Sequence, residues 1–271
     1  MPFELRTLGR TGLRVGPLGL ASSYGLREPG VERAFEQGCN YIYWGSLRRR
    51  PFGRALKRLC ATRRDDVVLV LQSYGRFRWF VRRALESGLR RLGTDHADVL
   101  LLGMWNKPVK PAILETAVRL RDQGKTRFLA VSTHQRLQAA RWLQGEQPEI
   151  DVIHLRYNAA HRGAETEVFP HVKEDGPGLV VFTATRWGSL CTPQPGIDRT
   201  PDGGDCYRFV LSRPEVDVCL SAPKDEVELD IGLAALERGP MGEDERSWMR
   251  DVGDHLYEAR KGRGETGFVS R

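Results

Sequence analysis

Eight short apolar runs, separated by segments of helical periodicity, constrain this 271-residue chain more than any other feature. The runs end near Leu20, Ile42, Leu71, Leu102, Val131, Leu155, Phe182 and Leu220. Those reading DVVLVLQ, ADVLLLG and GLVVFT lack polar alternation, as strands buried on both faces do. Between the runs, Phe77, Phe80, Ala84, Leu85, Leu89 and Leu92 are spaced along one helical face, and Ile113, Leu114, Ala117 and Leu120 along another. Residues 224–237 carry Val227, Leu229, Leu233 and Leu236 less regularly. Eight strand–helix units in succession predict an α/β fold, a single (β/α)8 TIM barrel over residues 1–271, an architecture that typically needs about 250 residues. The sequence further predicts an N-terminal β-hairpin around Gly9-Arg10-Thr11-Gly12 against the barrel bottom, and an extra C-terminal helix over 242–262. A doubly wound sheet is the competing architecture. Its dinucleotide-binding form is weakened because no G-x-G-x-x-G follows the first strand.

Composition narrows the function classes. A hydrophobic fraction of 40% and a charged fraction of 28% exclude a disordered or collagen-like chain. No run reaches the roughly 18 apolar residues of a membrane span. The start, MPFELRTLGRTGL, carries charges where a signal peptide would be apolar, so a cytoplasmic location is expected. The net charge of +7 comes from 42 basic residues, 35 of them arginine, scattered along the chain. No zinc-finger spacing or RNA-binding aromatic motif accompanies them, so they read as solvated helix faces, and no nucleic-acid partner is expected. Five widely spaced cysteines without a C-x-x-C pair suggest neither a disulfide framework nor a zinc site. Cys39 and Cys219 read as small core hydrophobes, whereas Cys191 and Cys206 stay open as reactive thiols.

Chemistry in such a barrel sits on the loops that follow the strands. Those segments supply Ser22-Ser23-Tyr24, Tyr43-Trp44-Gly45-Ser46, Gln72-Ser73-Tyr74, Gly103-Met104-Trp105-Asn106, Ser132-Thr133-His134, Arg156-Tyr157-Asn158, Thr183 to Trp187, and Ser221 to Lys224. They are rich in aromatic and hydrogen-bonding groups and poor in carboxylates. A metal centre needs several inward Asp, Glu or His, so no metal is expected.

The segments LGRTGLRVGPLGL, EQGCNY, SGLRRLGTDHADVLLL and QGKTRFLAVST, with the pair Tyr157-Asn158, resemble the aldo-keto reductase family in order along nearly the whole chain. The resemblance implies a (β/α)8 barrel with an N-terminal hairpin. It also implies a nicotinamide cofactor, NADP(H) or less often NAD(H), and a small carbonyl substrate. The family's catalytic set is Asp, Tyr, Lys and His. In this sequence Tyr43 stands in the Asp position, Arg48 is the nearest match to the catalytic Tyr, Gln72 replaces Lys and Gly103 replaces His. Of the cofactor positions, Ser132 matches the residue that holds the carboxamide, with Thr133 after it in place of Asn. His154 takes a usual Gln position ahead of Asn158, and Thr183 takes that of the tyrosine that stacks on nicotinamide, with Trp187 nearby. Lys224 is placed to meet a 2′-phosphate. Glu228 and Gly232 stand at adenine-contacting positions, and Asp230 replaces the basic residue between them.

Hydride delivery to a carbonyl leaves developing alkoxide charge, which needs a positioned acid and electrostatic support. The replacements therefore make the family's standard mechanism improbable. They leave candidate catalytic residues Tyr43, Arg48, His134 and Arg186, with Tyr43 activated if Arg48 or Arg186 lowers its pKa. His161 is a further near-neutral base. Tyr24, Trp44, Gln72, Tyr74, Trp105 and Asn106 are candidate pocket residues, and Ser132, Asn158, Trp187 and Lys224 candidate cofactor residues. His154 reads as a satisfied inner-strand histidine. Three functions stay open: an enzyme with rewired, even non-redox, acid–base chemistry; an NAD(P)H-dependent reductase with Tyr43 as replacement acid; and a non-catalytic binding protein.

Overall fold

The computed structural model describes residues 3–45 and 48–261. Eight parallel strands close into a barrel: β3 (Leu18–Ala21), β4 (Tyr41–Trp44), β5 (Val68–Ser73), β6 (Ala97–Leu102), β7 (Thr126–Thr133), β8 (Val152–Arg156), β9 (Gly178–Phe182) and β10 (Val218–Ser221), the last pairing with the first. They are preceded by a short antiparallel pair, β1 (Arg6–Thr7) and β2 (Arg14–Val15). The alternating helices are α1 (Glu28–Glu36), α2 (Arg50–Thr62), α3 (Arg78–Leu92), α4 (Pro111–Asp122), α5 (Arg136–Leu143), the single turn α6 (Ala164–Glu167), α7 (Gly203–Leu211) and α8 (Glu226–Arg238), followed by α9 (Glu243–Lys261). The expected barrel, hairpin and extra C-terminal helix are all present.

Alternation along each strand creates two cores. Inward residues such as Tyr41, Val70, Val99, Leu101, Ala130, Val152, Val180 and Val218 fill the barrel, while Ile42, Leu69, Leu71, Leu100, Leu155 and Leu179 pack outward under the helices. Inside the barrel the Tyr41 hydroxyl and His154 Nε2 are 2.8 Å apart, so the inner-strand histidine is satisfied as expected. Burial holds its pKa down to about 3, and it stays neutral.

The hairpin closes the bottom. Leu8, Leu13 and Val15 join the inner core, and the Arg10 amide bonds Gly176 O at 2.8 Å. Gly9 lies so close to β9 that a Cβ would stand 2.3 Å from Gly178 N. Gly12, at φ 69°, takes the left-handed conformation that lets the turn reverse. With the bottom plugged, the C-terminal ends of the strands are left to form a site.

Candidate active site at the barrel mouth

A cavity of about 830 Å³ opens over those strand ends. Its floor is built from inward residues near the strand ends: Tyr43 of β4, Gln72 of β5, Ser132 and His134 at the end of β7, His154 of β8 in register with Ser132, and Phe182 at the end of β9. Tyr43 and Gln72 are both buried, and the Tyr43 hydroxyl donates to Gln72 Oε1. Ser132 Oγ accepts the Met104 amide at 2.8 Å, which ties the β6 turn to β7. His134 stands edge-on to Phe182 with ring centroids 5.4 Å apart. Its Nδ1 is buried without a hydrogen-bond partner among the described residues. Burial, with the Arg156 charge beside it, lowers its pKa to about 4.

The remaining wall comes from the segment between β9 and α7 and from the start of α8. Thr183, Thr185, Trp187, Gly188, Cys191 and Thr200 to Gly203 line it, together with Lys224 and Glu228. The 184–203 segment, whose conformation the sequence left open, thus borders the mouth. It leaves β9 through left-handed Thr183, Arg186, Trp187 and Gly188, forms a short turn at Ser189–Cys191, and ends in a capping box between Asp202 and Asp205 that starts α7. Lys224 Nζ is ion-paired with Glu228 at 2.7 Å.

Two glycines make room for the floor. A Cβ on Gly45 would stand 2.0 Å from Tyr43 Cζ, and one on Gly103 would stand 2.4 Å from Gln72 Nε2 and 2.7 Å from Tyr74 Cδ1. The amide and the Tyr74 ring therefore occupy the space that a side chain at 103 would take.

Of the expected pocket residues, Tyr24, Gln72 and Tyr74 line the cavity, as do Tyr43, His134, Ser132, Trp187 and Lys224. The others lie elsewhere. Trp44 follows inward Tyr43, so alternation turns it outward, where it packs between barrel and helices near Gly53. Left-handed Met104 (φ 58°) tucks Trp105 into the same outer core, with the Arg76 guanidinium 4.3 Å above its ring. Asn106 is a brace: its Oδ1 accepts Thr133 Oγ1 at 3.1 Å and the His134 amide at 3.2 Å. Asn158 is another brace, donating to Thr183 O at 2.9 Å and accepting from the Ala160 amide at 3.1 Å; its Oδ1 also lies 3.1 Å from His161 Nδ1. His161, held there and edge-on to Tyr257, is likewise absent from the cavity lining.

The two arginines expected at the mouth are also placed differently. Arg48 lies outside the barrel, over the Trp44 ring at 5.3 Å, and bonds Gln72 O at 3.2 Å and Ala84 O at 3.1 Å. Its charge still interacts with Tyr43 through the strand. Arg186 is buried and reaches back to Leu256 O on α9 at 3.4 Å. Arg156 was missed. It is buried one register step beyond the Thr133–Leu155 pair, beside His134, with no hydrogen-bond or ion-pair partner among the described residues. Its parity with His154 on β8 was the available signal. Among the described residues no group of three His, Cys, Asp or Glu could hold a metal ion, and no helix is long and apolar enough to cross a membrane.

The model of the aldo/keto reductase family matches residues 25–200. The chain belongs to this family. Among curated relatives it is 29% identical to L-galactose dehydrogenase of Arabidopsis thaliana, over 71% of this chain and 69% of that enzyme. It is 25% identical to the NADH-specific methylglyoxal reductase of Escherichia coli, over 49% of this chain but only 41% of that protein. Among solved structures, the holo form of an aldo-keto reductase from Bacillus halodurans superposes with a TM-score of 0.76, at 21% identity, over 92% of this chain and 96% of that one. At that identity the likeness concerns the fold, and it extends the family barrel through β10 and α8, beyond the matched residues.

Proposed function

We propose that this aldo/keto reductase family member is an NAD(H)-dependent oxidoreductase acting on a small carbonyl compound or its alcohol, with a rebuilt proton-donating floor. The observation that carries the reading is the joint composition of the cavity: Tyr43 and His134 on its floor, and Lys224 and Glu228 on its rim. A nicotinamide bound there supplies or accepts the hydride; the residues of the chain hold the substrate oxygen and its proton.

Tyr43 is the proton donor in this reading. Its hydroxyl is at the cavity floor, and Gln72 Oε1 fixes its direction. Arg48, outside the barrel wall, supplies positive charge to the same tyrosine without entering the pocket. Neutral His134 lines the same floor beside the substrate oxygen's place, its Nδ1 buried and Arg156 next to it. The glycines at 45 and 103 support a rebuilt site over a decayed one, since each clears the space that Tyr43, Gln72 and Tyr74 now fill.

The rim fits a dinucleotide without a 2′-phosphate. Lys224 is already neutralised by Glu228, and Asp202 lines the same wall. Asp230, where the resemblance implies a basic residue, is held by Arg33 at 2.6 Å. Carboxylates suit a ribose diol and repel a phosphate. The name of the bacterial relative, an NADH-specific reductase, agrees with this preference.

The test is NADH oxidation with a panel of small aldehydes. Wild type should turn over at least one, and Tyr43→Phe should lower kcat/KM by roughly 10²-fold or more. Equal rates for the two proteins would remove Tyr43 from the role. One observation favours a second reading, a binding protein without turnover: the Tyr43 hydroxyl is already committed to an uncharged amide. Tight NADH binding with no oxidation of any panel member is the result that reading predicts.

A further inference from the structure

The wall of the cavity contains a feature that carbonyl chemistry does not use. Cys191 Sγ and Cys206 Sγ are 3.8 Å apart. We propose that these two thiols form a redox-modification site, which reacts with a small-molecule disulfide such as oxidised glutathione and closes into an intramolecular disulfide beside the cavity.

The arrangement gives each sulfur a different task. Cys191, in the Ser189–Cys191 turn, is half-buried and lines the cavity, so a reagent can reach it. Cys206 is buried behind it on α7, a helix anchored by the Asp202–Asp205 capping box. A disulfide is about 2.05 Å long, so the sulfurs must approach by a little under 2 Å. The turn is flanked by left-handed Gly188 and Gly196, and Gly188 has open space around it. The moving partner is therefore the loop cysteine and the fixed one the helix cysteine.

Reactivity follows the same division. The hydrogen bond between the two sulfurs, in which either can donate, holds Cys191 below the usual thiol range despite burial and the nearby carboxylates of Asp202, Asp205 and Glu228. Burial pushes the thiols of Cys39 and Cys60 up, to about 12 and about 11, and raises that of Cys219 as well, while Cys206 is raised by its hydrogen bond to Cys191 and by burial. The thiolate is the attacking species, so Cys191 reacts first.

The chemistry balances as two exchanges. Cys191 thiolate attacks one sulfur of the small disulfide; a Cys191 mixed disulfide forms and one small thiolate leaves. Cys206 then attacks the Cys191 sulfur, its proton passing to the second departing small thiolate. Two protein thiols are oxidised to one disulfide, and the small disulfide is reduced to two thiols. The bond ties the 189–191 turn to α7 and fixes that part of the wall.

The experiment uses the native full-length protein with oxidised glutathione, followed by alkylation and peptide mass mapping. The expected result is a loss of about 2 Da, a single linkage between the peptides of Cys191 and Cys206, reversal by dithiothreitol, and three cysteines left reduced. Cys206→Ser should trap glutathione on Cys191, whereas Cys191→Ser should take up none while folded. Modification of Cys191 no faster than that of Cys60, or a wild-type product that stops at the mixed disulfide, overturns the proposal. The wild-type mapping needs no variant to fold, and none of these readouts depends on the cofactor or on turnover.

Discussion

His134 joins several of the forces acting at the mouth. It is held by the Asn106–amide bond, faces Phe182, and is kept neutral by burial and by Arg156. Its pKa is lowered, so the folded state binds its proton less readily than the unfolded chain. The stability this gives is complete above about 6.5 and is lost as the pH falls through about 4. The ring signal of His134 in a nuclear magnetic resonance titration should therefore stay constant between pH 8 and 5.5 and move near 4. A midpoint near 6.5 would contradict the burial argument. Gly103 offers a second test at this scale. Gly103→Ala forces Gln72 or Tyr74 to shift and should cost about 1–3 kcal/mol in denaturant unfolding. At the residue scale the sequence was only partly legible. Tyr43, Gln72 and Ser132 follow from their place at strand ends. Trp44 and Trp105 did not, because one residue of strand parity and one left-handed Met104 decide which side of the wall an indole lands on.

The elements were far more legible than the side chains. All eight apolar runs became barrel strands, and the segments with clear 3.6-residue spacing became α3 and α4. The shorter helices were hidden: α5 has eight residues and α6 four, too few for a periodic pattern. Nor does periodicity report how one element is fastened to another. The clasp of α7 to α9 is an example, in which buried Arg208 bonds Glu245 Oε2 at 2.8 Å and Gly239 O at 2.8 Å. The guanidinium lowers the Glu245 pKa to about 2. A depressed carboxyl pKa contributes stability above the unfolded value, and that contribution disappears as the pH falls from about 4.5 to about 2. Acid unfolding should therefore begin at higher pH in Glu245→Gln than in wild type, with the two melting temperatures differing most near pH 7 and converging near pH 2. A constant gap across that window would show that the clasp acts through packing alone.

For the whole molecule, the hairpin closes the bottom of the barrel and leaves a single use for the top. The closed sheet and the family were legible because they follow from strand count, order and a few long motifs. The proposed cofactor preference was not. It depends on whether Lys224 is free for a phosphate, and its partner Glu228 was read as a contact to adenine. The structure pairs the two at 2.7 Å, which turns a cation expected to select NADP(H) into part of a rim with surplus negative charge. Calorimetric titration of the full-length protein with NADH and with NADPH tests this most directly. Saturable NADH binding, about tenfold or more tighter than NADPH (a difference of about 1.4 kcal/mol), with the gap narrowed by Glu228→Gln, is the predicted result. Tighter binding of NADPH, or no binding of either nucleotide, would contradict it.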